Sequence, residues 1–255
     1  MIPFSEESEG AIIYTIKRIT LIFYFSMIPT FMYSQTFELY EKAVFGISIP
    51  TDWEEIPKEM LDGYSKNLLE LAPDAPVPNF DYGFQAGDSE TWFSYPYILI
   101  SIKNTGRLSK KELLSLPDLS IDEYIDELGE AMENITSEVD MGQMYYDKAS
   151  NIIWMHLEAS VIGVGEIHGL NAMILTERGY IAAAAYSFKK DFTSYQALFR
   201  LIQKSILPIP SLRYESRITD SIPISIRGIN WAEVIAAAII GGIIFLFQSL
   251  KKDDS

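Results

Sequence analysis

Residues 231–250 read WAEVIAAAIIGGIIFLFQSL, twenty positions of which only Glu233 is charged. As a helix rising about 1.5 Å per residue, this run covers about 30 Å, the hydrocarbon thickness of a bilayer. Glu233 stands beside Trp231 at one margin, where headgroup depth makes an ionised side chain far less costly than at the midplane. The competing reading, a buried core helix, is set aside because no further domain follows to bury it. Residues 231–250 are therefore expected to be a transmembrane helix. Lys251 and Lys252 follow directly, and flanking lysines prefer the cytoplasmic side. Residues 251–255 then form a cytoplasmic tail, and the preceding domain lies outside the cytoplasm. Ala237 with Gly241, and Ala238 with Gly242, repeat small residues at a spacing of four, a pattern that allows close pairing of two copies in a homodimer.

The other end agrees with that topology. Lys17 and Arg18 precede fifteen uncharged residues, 19–33, in the basic-then-apolar order of an export signal. The run is short for a span and close to a signal-peptide core in length, and Ser34 offers a small residue at a cleavage point. Glu6, Glu7 and Glu9 do not belong in such a signal, so residues 1–35 are read as an export segment extended by a start assigned too far upstream. The alternative is an uncleaved N-terminal anchor.

The formal net charge is −15, and all but two of those charges lie between residues 36 and 230. A field of that sign repels phosphate backbones and anionic headgroups, which argues against nucleic-acid binding and favours solubility or a basic partner. The chain has no cysteine, which rules out disulfides, thiolate metal sites, a cysteine nucleophile and a lipidated cysteine anchor.

Between the ends, residues 36–207 form one α+β domain. Residues 44–49 alternate as a strand that stops at Pro50-Thr51-Asp52-Trp53, with Trp53 covering one end of the core. Met60, Leu61, Tyr64, Leu68 and Leu71 share one face of a helix over 58–71. Residues 72–95 read as a long loop, and 97–103 as a second strand. Residues 109–114 make a short helix. Ser120 and Glu123 form a capping box on an amphipathic helix over 121–135, whose acidic side is its solvated face. Strands over 138–149, 152–161 and 166–176 follow as an antiparallel meander, then a strand over 180–188 whose alanines, Ala182 to Ala185, let a helix pack closely. Asp191 caps a last helix with Phe192, Tyr195, Leu198, Phe199, Ile202 and Ile206 on its inner stripe. Residues 208–230 are a linker, a tether or edge strand leading to the span.

Three places resemble the family of PsbP-like and Mog-like domains. They are the opening Phe45-Gly46-Ile47-Ser48-Ile49-Pro50 with Asp52-Trp53, the strands over 152–176 and 180–188, and the closing Ile202-Gln203-Lys204-Ser205-Ile206. The resemblance covers residues 43–207 and implies an antiparallel β-sheet flanked by helices. It implies mostly non-enzymatic accessory or binding roles, and the C-terminal span departs from the family pattern.

The residues with ligand chemistry are few. His156 and Glu158, and Glu166 and His168, mirror each other on consecutive strands. With a hairpin centred on Ile162, His156 faces His168 and Glu158 faces Glu166, so two imidazoles and two carboxylates share a face and suit a divalent transition metal. The simpler reading is a polar, solvent-facing side, since a one-residue slip breaks the match. Trp92, Phe93, Tyr95 and Tyr97 form either a binding rim or loop packing. No nucleophile elbow occurs, the glycines around Gly163 and Gly165 lack the lysine and helix of a phosphate loop, and Asp118, Asp122 and Asp126 are spaced along a helix rather than a calcium loop.

The sequence thus points to a membrane-anchored, extracytoplasmic accessory or scaffold domain that binds another protein, uses no cofactor and catalyses nothing. One alternative is a metal-dependent hydrolase built on the His156 and His168 hairpin. Another is a small-ligand sensor using the loop over 72–95.

Overall fold

The computed structural model describes residues 35–71, 78–109, 112–113, 125–126, 135–215, 217 and 231–242. It divides the chain into two units, Met1–Gln35 and Thr36–Ser255. The expected export segment, most of the helix over 121–135, most of the linker and the second half of the expected span lie outside the described residues.

The second unit holds an antiparallel sheet in the order β3-β4-β5-β10-β9-β8-β6, with β7 also pairing β8, and a three-stranded sheet in the order β1-β2-β11. The strands are β1 Phe37–Glu41, β2 Phe45–Pro50, β3 Trp53–Glu55, β4 Tyr82–Ala86, β5 Tyr97–Lys103, β6 Thr136–Met141, β7 Tyr145–Asp147, β8 Ile152–Val161, β9 Gly165–Thr176, β10 Gly179–Phe188 and β11 Leu207–Pro208. The helices are α1 Lys58–Leu71, α2 Lys189–Lys204 and α3 Trp231–Gly242. This is the α+β class expected, an antiparallel sheet with helices against it.

The large sheet is buried on both faces because its central strands alternate between two apolar sets. On one face Leu170, Ala172 and Ile174 of β9 and Ile181, Ala183 and Ala185 of β10 join Phe192, Phe199 and Ile202 of α2 and Phe45, Ile47 and Ile49 of β2. On the other, Met173 and Leu175 of β9 and Tyr180, Ala184 and Tyr186 of β10 join Leu61 and Tyr64 of α1 and Val234 to Ala236 and Ala238 to Ile240 of α3. The alanine run therefore serves two helices rather than one: odd positions lie under α2 and even positions face α3.

The closing motif has a physical role. Gln203 Nε2 donates to the Leu170 and Ala183 carbonyls at 2.6 and 2.8 Å, tying α2 to β9 and β10. Ser205 Oγ accepts from the Ser48 N–H at 2.9 Å and donates to the Ile202 carbonyl at 2.6 Å, joining the end of α2 to β2.

Several elements differ from expectation. The strand expected over 138–149 is two strands, because the chain leaves β8 between Met141 and Tyr145 and rejoins it at Trp154. Helix α2 starts at Lys189, with Phe188 at its cap and no side-chain bond there. Asp191 instead lies in the first turn, where a carboxylate favours the helix dipole. The loop expected over 72–95 contains β4, and the short strands β1 and β3 were not anticipated. The expected domain and linker meet in an edge strand, Leu207 and Pro208, on β2.

The turn between β9 and β10 depends on Gly179, whose φ is 146° and where an added Cβ would stand 2.0 Å from the Lys103 carbonyl oxygen. Gly179→Ala is expected to lower stability by about 2–4 kcal/mol through strain and this clash, read as a lower urea midpoint at unchanged slope.

Candidate functional site

The part of the apolar C-terminal run that the structure describes is not exposed for a bilayer. From Val234 to Gly242 every residue except the partly covered Ala237 is buried. A helix that is apolar around its circumference suits either a core or a membrane; here α3 lies against its own sheet. Among the described residues no helix is long and apolar enough to cross a membrane. The domain that precedes this run in the chain is what buries it.

Four tyrosines from three parts of the chain hold α3. Tyr64, on the inner face of α1, donates to the Ile240 carbonyl at 2.7 Å. Tyr97, opening β5, donates to Gly241 at 2.8 Å, and Tyr186, on β10, to Ala238 at 2.6 Å. Tyr95 donates to the Gly242 carbonyl. Each such bond contributes about 0.5–1.5 kcal/mol net, and burying each of Val234, Ile235, Ile239 and Ile240 about 1.5–3 kcal/mol.

The rings support one another. Tyr97 and Tyr186 are register partners with centroids 5.4 Å apart, Tyr95 stacks on Tyr97 at 5.0 Å, and Phe93 lies 5.8 Å from Tyr64. Burial pushes the hydroxyls of Tyr64, Tyr97 and Tyr186 well above the ordinary tyrosine range, with neighbouring tyrosines adding to the shift. Burial also raises Tyr95. These groups are neutral donors at any physiological pH. The approach is close enough to require glycine, because a Cβ at Gly241 would stand 2.4 Å from Tyr186 Oη and one at Gly242 2.7 Å from Ile167 Cδ1.

Of the four residues read as a rim, Phe93 and Tyr97 are buried and Trp92 and Tyr95 partly so. Phe93, Tyr95 and Tyr97 belong to the aromatic seat of α3, not to an open rim. Ala237, Ala238, Gly241 and Gly242, read as a helix-pairing surface, meet this seat: Tyr186 bonds at Ala238, and the Ala237 and Ala238 carbonyls and both glycines lie against its ring or hydroxyl.

Beside the tyrosines, small side chains leave a cavity of about 30 Å³ between sheet and helix, lined by Leu99, Ser101, Met155, Asn171, Met173, Ala182, Ala184, Val234, Ala237 and Ala238 among others. Asn171 is 6% exposed, and both its amide atoms are buried without a hydrogen-bond partner.

The histidine hairpin takes a register two residues from the expected one. Glu158 faces His168, His156 faces Leu170 and Ser160 faces Glu166, because the turn centres on Gly163. His168 Nε2 is 3.4 Å from Glu158, Glu166 pairs with Lys189 at 3.1 Å, and both imidazoles lie beside Phe192. Burial, then the Arg200 charge, lowers His156. Among the described residues no group of three or more histidine, aspartate or glutamate side chains is placed to hold a metal ion.

Sequence reasoning missed Tyr64, Tyr186 and Asn171 as site residues. Asn171 had a signal: it is the one polar side chain in the run 170–175, otherwise Leu, Ala, Met, Ile and Leu.

No protein-family model and no curated protein matches the chain. Among solved structures it is similar to cyanobacterial PsbP (CyanoP) from Synechocystis sp. PCC 6803, at 11% identity and a TM-score of 0.44 over 70% of this chain and 95% of that one. It is also similar to LpqN, involved in cell envelope biogenesis of Mycobacterium tuberculosis, at 12% identity and a TM-score of 0.33 over 71% and 88%. A third is a protein of unknown function and putative regulator from Pseudomonas aeruginosa, at 10% identity and a TM-score of 0.28 over 68% and 98%.

Proposed function

We propose that this chain is a non-catalytic accessory protein of a membrane surface, with its acidic body outside the cytoplasm, and that residues 231–250 are a reversible anchor. The observation that carries this reading is the fit of α3 to its seat. A helix of membrane composition is held by apolar contacts and hydroxyl donors. The same sequence satisfies a bilayer, since its length and its single charge at one margin meet that requirement. In the docked form the anchor is sequestered and the body soluble; in the inserted form the body is tethered and the seat is open to a protein partner. Lys17 and Arg18 at one end, and Lys251 and Lys252 at the other, support the outward orientation.

Flotation with anionic-lipid-free vesicles tests the reading. Part of the purified chain is expected to float with the vesicles, to resist carbonate extraction, and to return no proteolytic fragment protected beyond the C-terminal run. A chain that stays wholly at the bottom of the gradient at every lipid concentration contradicts it.

A further inference from the structure

We infer that the seat beneath α3 is also a lipid site, taking a single acyl chain joined by an ester to a hydroxyl-bearing head, in competition with α3. The inference rests on the reading of α3 as releasable and names what occupies the seat it leaves.

Asn171 lies in the floor of this seat with both amide atoms unbonded. A buried amide with neither donor nor acceptor satisfied costs stability that an apolar side chain of the same size would not. Its neighbours across the sheet are Met155 and Ala184, neither with a side chain that hydrogen-bonds it. Among the described residues α3 offers it no partner either. The amide therefore suits an occupant other than α3, one presenting an acceptor and a donor side by side. An ester carbonyl accepts from Nδ2, and an adjacent hydroxyl donates to Oδ1.

The rest of the floor suits an acyl chain. Ala182 and Ala184 leave a shallow trough on β10, bordered by Leu99 on one side and Met155 and Met173 on the other. Methionine side chains adapt to flexible apolar ligands, and a mostly apolar pocket with few polar groups is the ordinary form of a lipid or small-molecule site. With α3 in place the remaining cavity of about 30 Å³ holds a water molecule and no chain. Chain and helix exclude each other, so the ligand binds the form whose helix has left and shifts the population toward it.

The test uses the full chain, monodecanoylglycerol, and the monodecyl glycerol ether that lacks only the ester carbonyl. Calorimetry is expected to give one ester per chain, bound about tenfold more tightly than the ether. Hydrogen exchange at residues 234–242 should speed up as the ester saturates. Asn171→Leu should reduce the ester-to-ether ratio to about one while the urea midpoint holds or rises. The ligand comparison on the unaltered chain stands even if that variant fails to fold. Equal affinity for ester and ether, binding of many molecules per chain, or exchange at 234–242 unmoved by saturating ester each overturns the site. If vesicles release α3 and the ester does not, the lipid site fails and the reversible anchor stands; if neither releases it, both fail.

Discussion

Gly241→Val is expected to unseat α3 while leaving the strands folded, and to increase the fraction of chain that floats with vesicles. The added Cβ would lie 2.4 Å from Tyr186 Oη and 3.0 Å from its Cζ, and that ring cannot retreat because it packs on Tyr97. Overpacking of this kind, with loss of the Tyr97 and Tyr186 hydrogen bonds, is expected to destabilise the docked helix by about 3 kcal/mol or more. In lipid the same change is mildly favourable, since valine is more apolar than glycine. The two environments therefore respond with opposite signs. Hydrogen exchange at 234–242 and flotation, measured together, check the prediction. Unchanged protection with unchanged flotation would mean that the glycine does not touch Tyr186.

The second large effect is alkaline. Tyr64, Tyr95, Tyr97 and Tyr186 all titrate higher in the folded chain than the ordinary value of 10.0, with burial the first cause in each. A group whose folded pKa is raised contributes stability that is fully present below its unfolded pKa and lost as pH rises through and beyond it. The docked state should thus hold to about pH 10 and weaken above it by about 1.4 kcal/mol per pH unit for each tyrosine that stays protonated in the fold. Ultraviolet titration is expected to show a buried set of tyrosines, these four among them, ionising only with the circular-dichroism transition. Smooth ionisation of all fifteen tyrosines with the fold intact would contradict the seat.

How much of this was legible depended on how local the signal was. Helix α1 and strand β5 were read at their observed bounds because their apolar periodicity is complete within the element. Strand β4 was missed because Tyr82, Phe84 and Gln85 are all partly or wholly buried and show no clean alternation inside a loop-like context. The alanine run was read correctly as a helix-packing surface, but a strand buried on both faces serves two helices, and one-dimensional pattern does not reveal the second. The buried position of residues 234–242 was missed for a similar reason: all-round hydrophobicity is shared by core and membrane helices. The tyrosine seat draws on three separated parts of the chain, Tyr64, Tyr95 with Tyr97, and Tyr186, which meet only through the tertiary fold. The His156 and His168 pairing hinged on one residue in the turn, and a centre at Gly163 instead of Ile162 moved every partner by two.

The claim beneath all of these is that Tyr97 and Tyr186 hold α3 on the sheet. Hydrogen exchange in vesicle-free buffer tests it most directly, comparing the intact chain with the Tyr97→Phe/Tyr186→Phe double variant. In the intact chain residues 234–242 should be clearly protected, though less than β9 and β10, and in the variant they should exchange at least about tenfold faster while both strands keep their protection. Exchange of 234–242 at the rate of an unstructured peptide in the intact chain would show that the helix is not seated there.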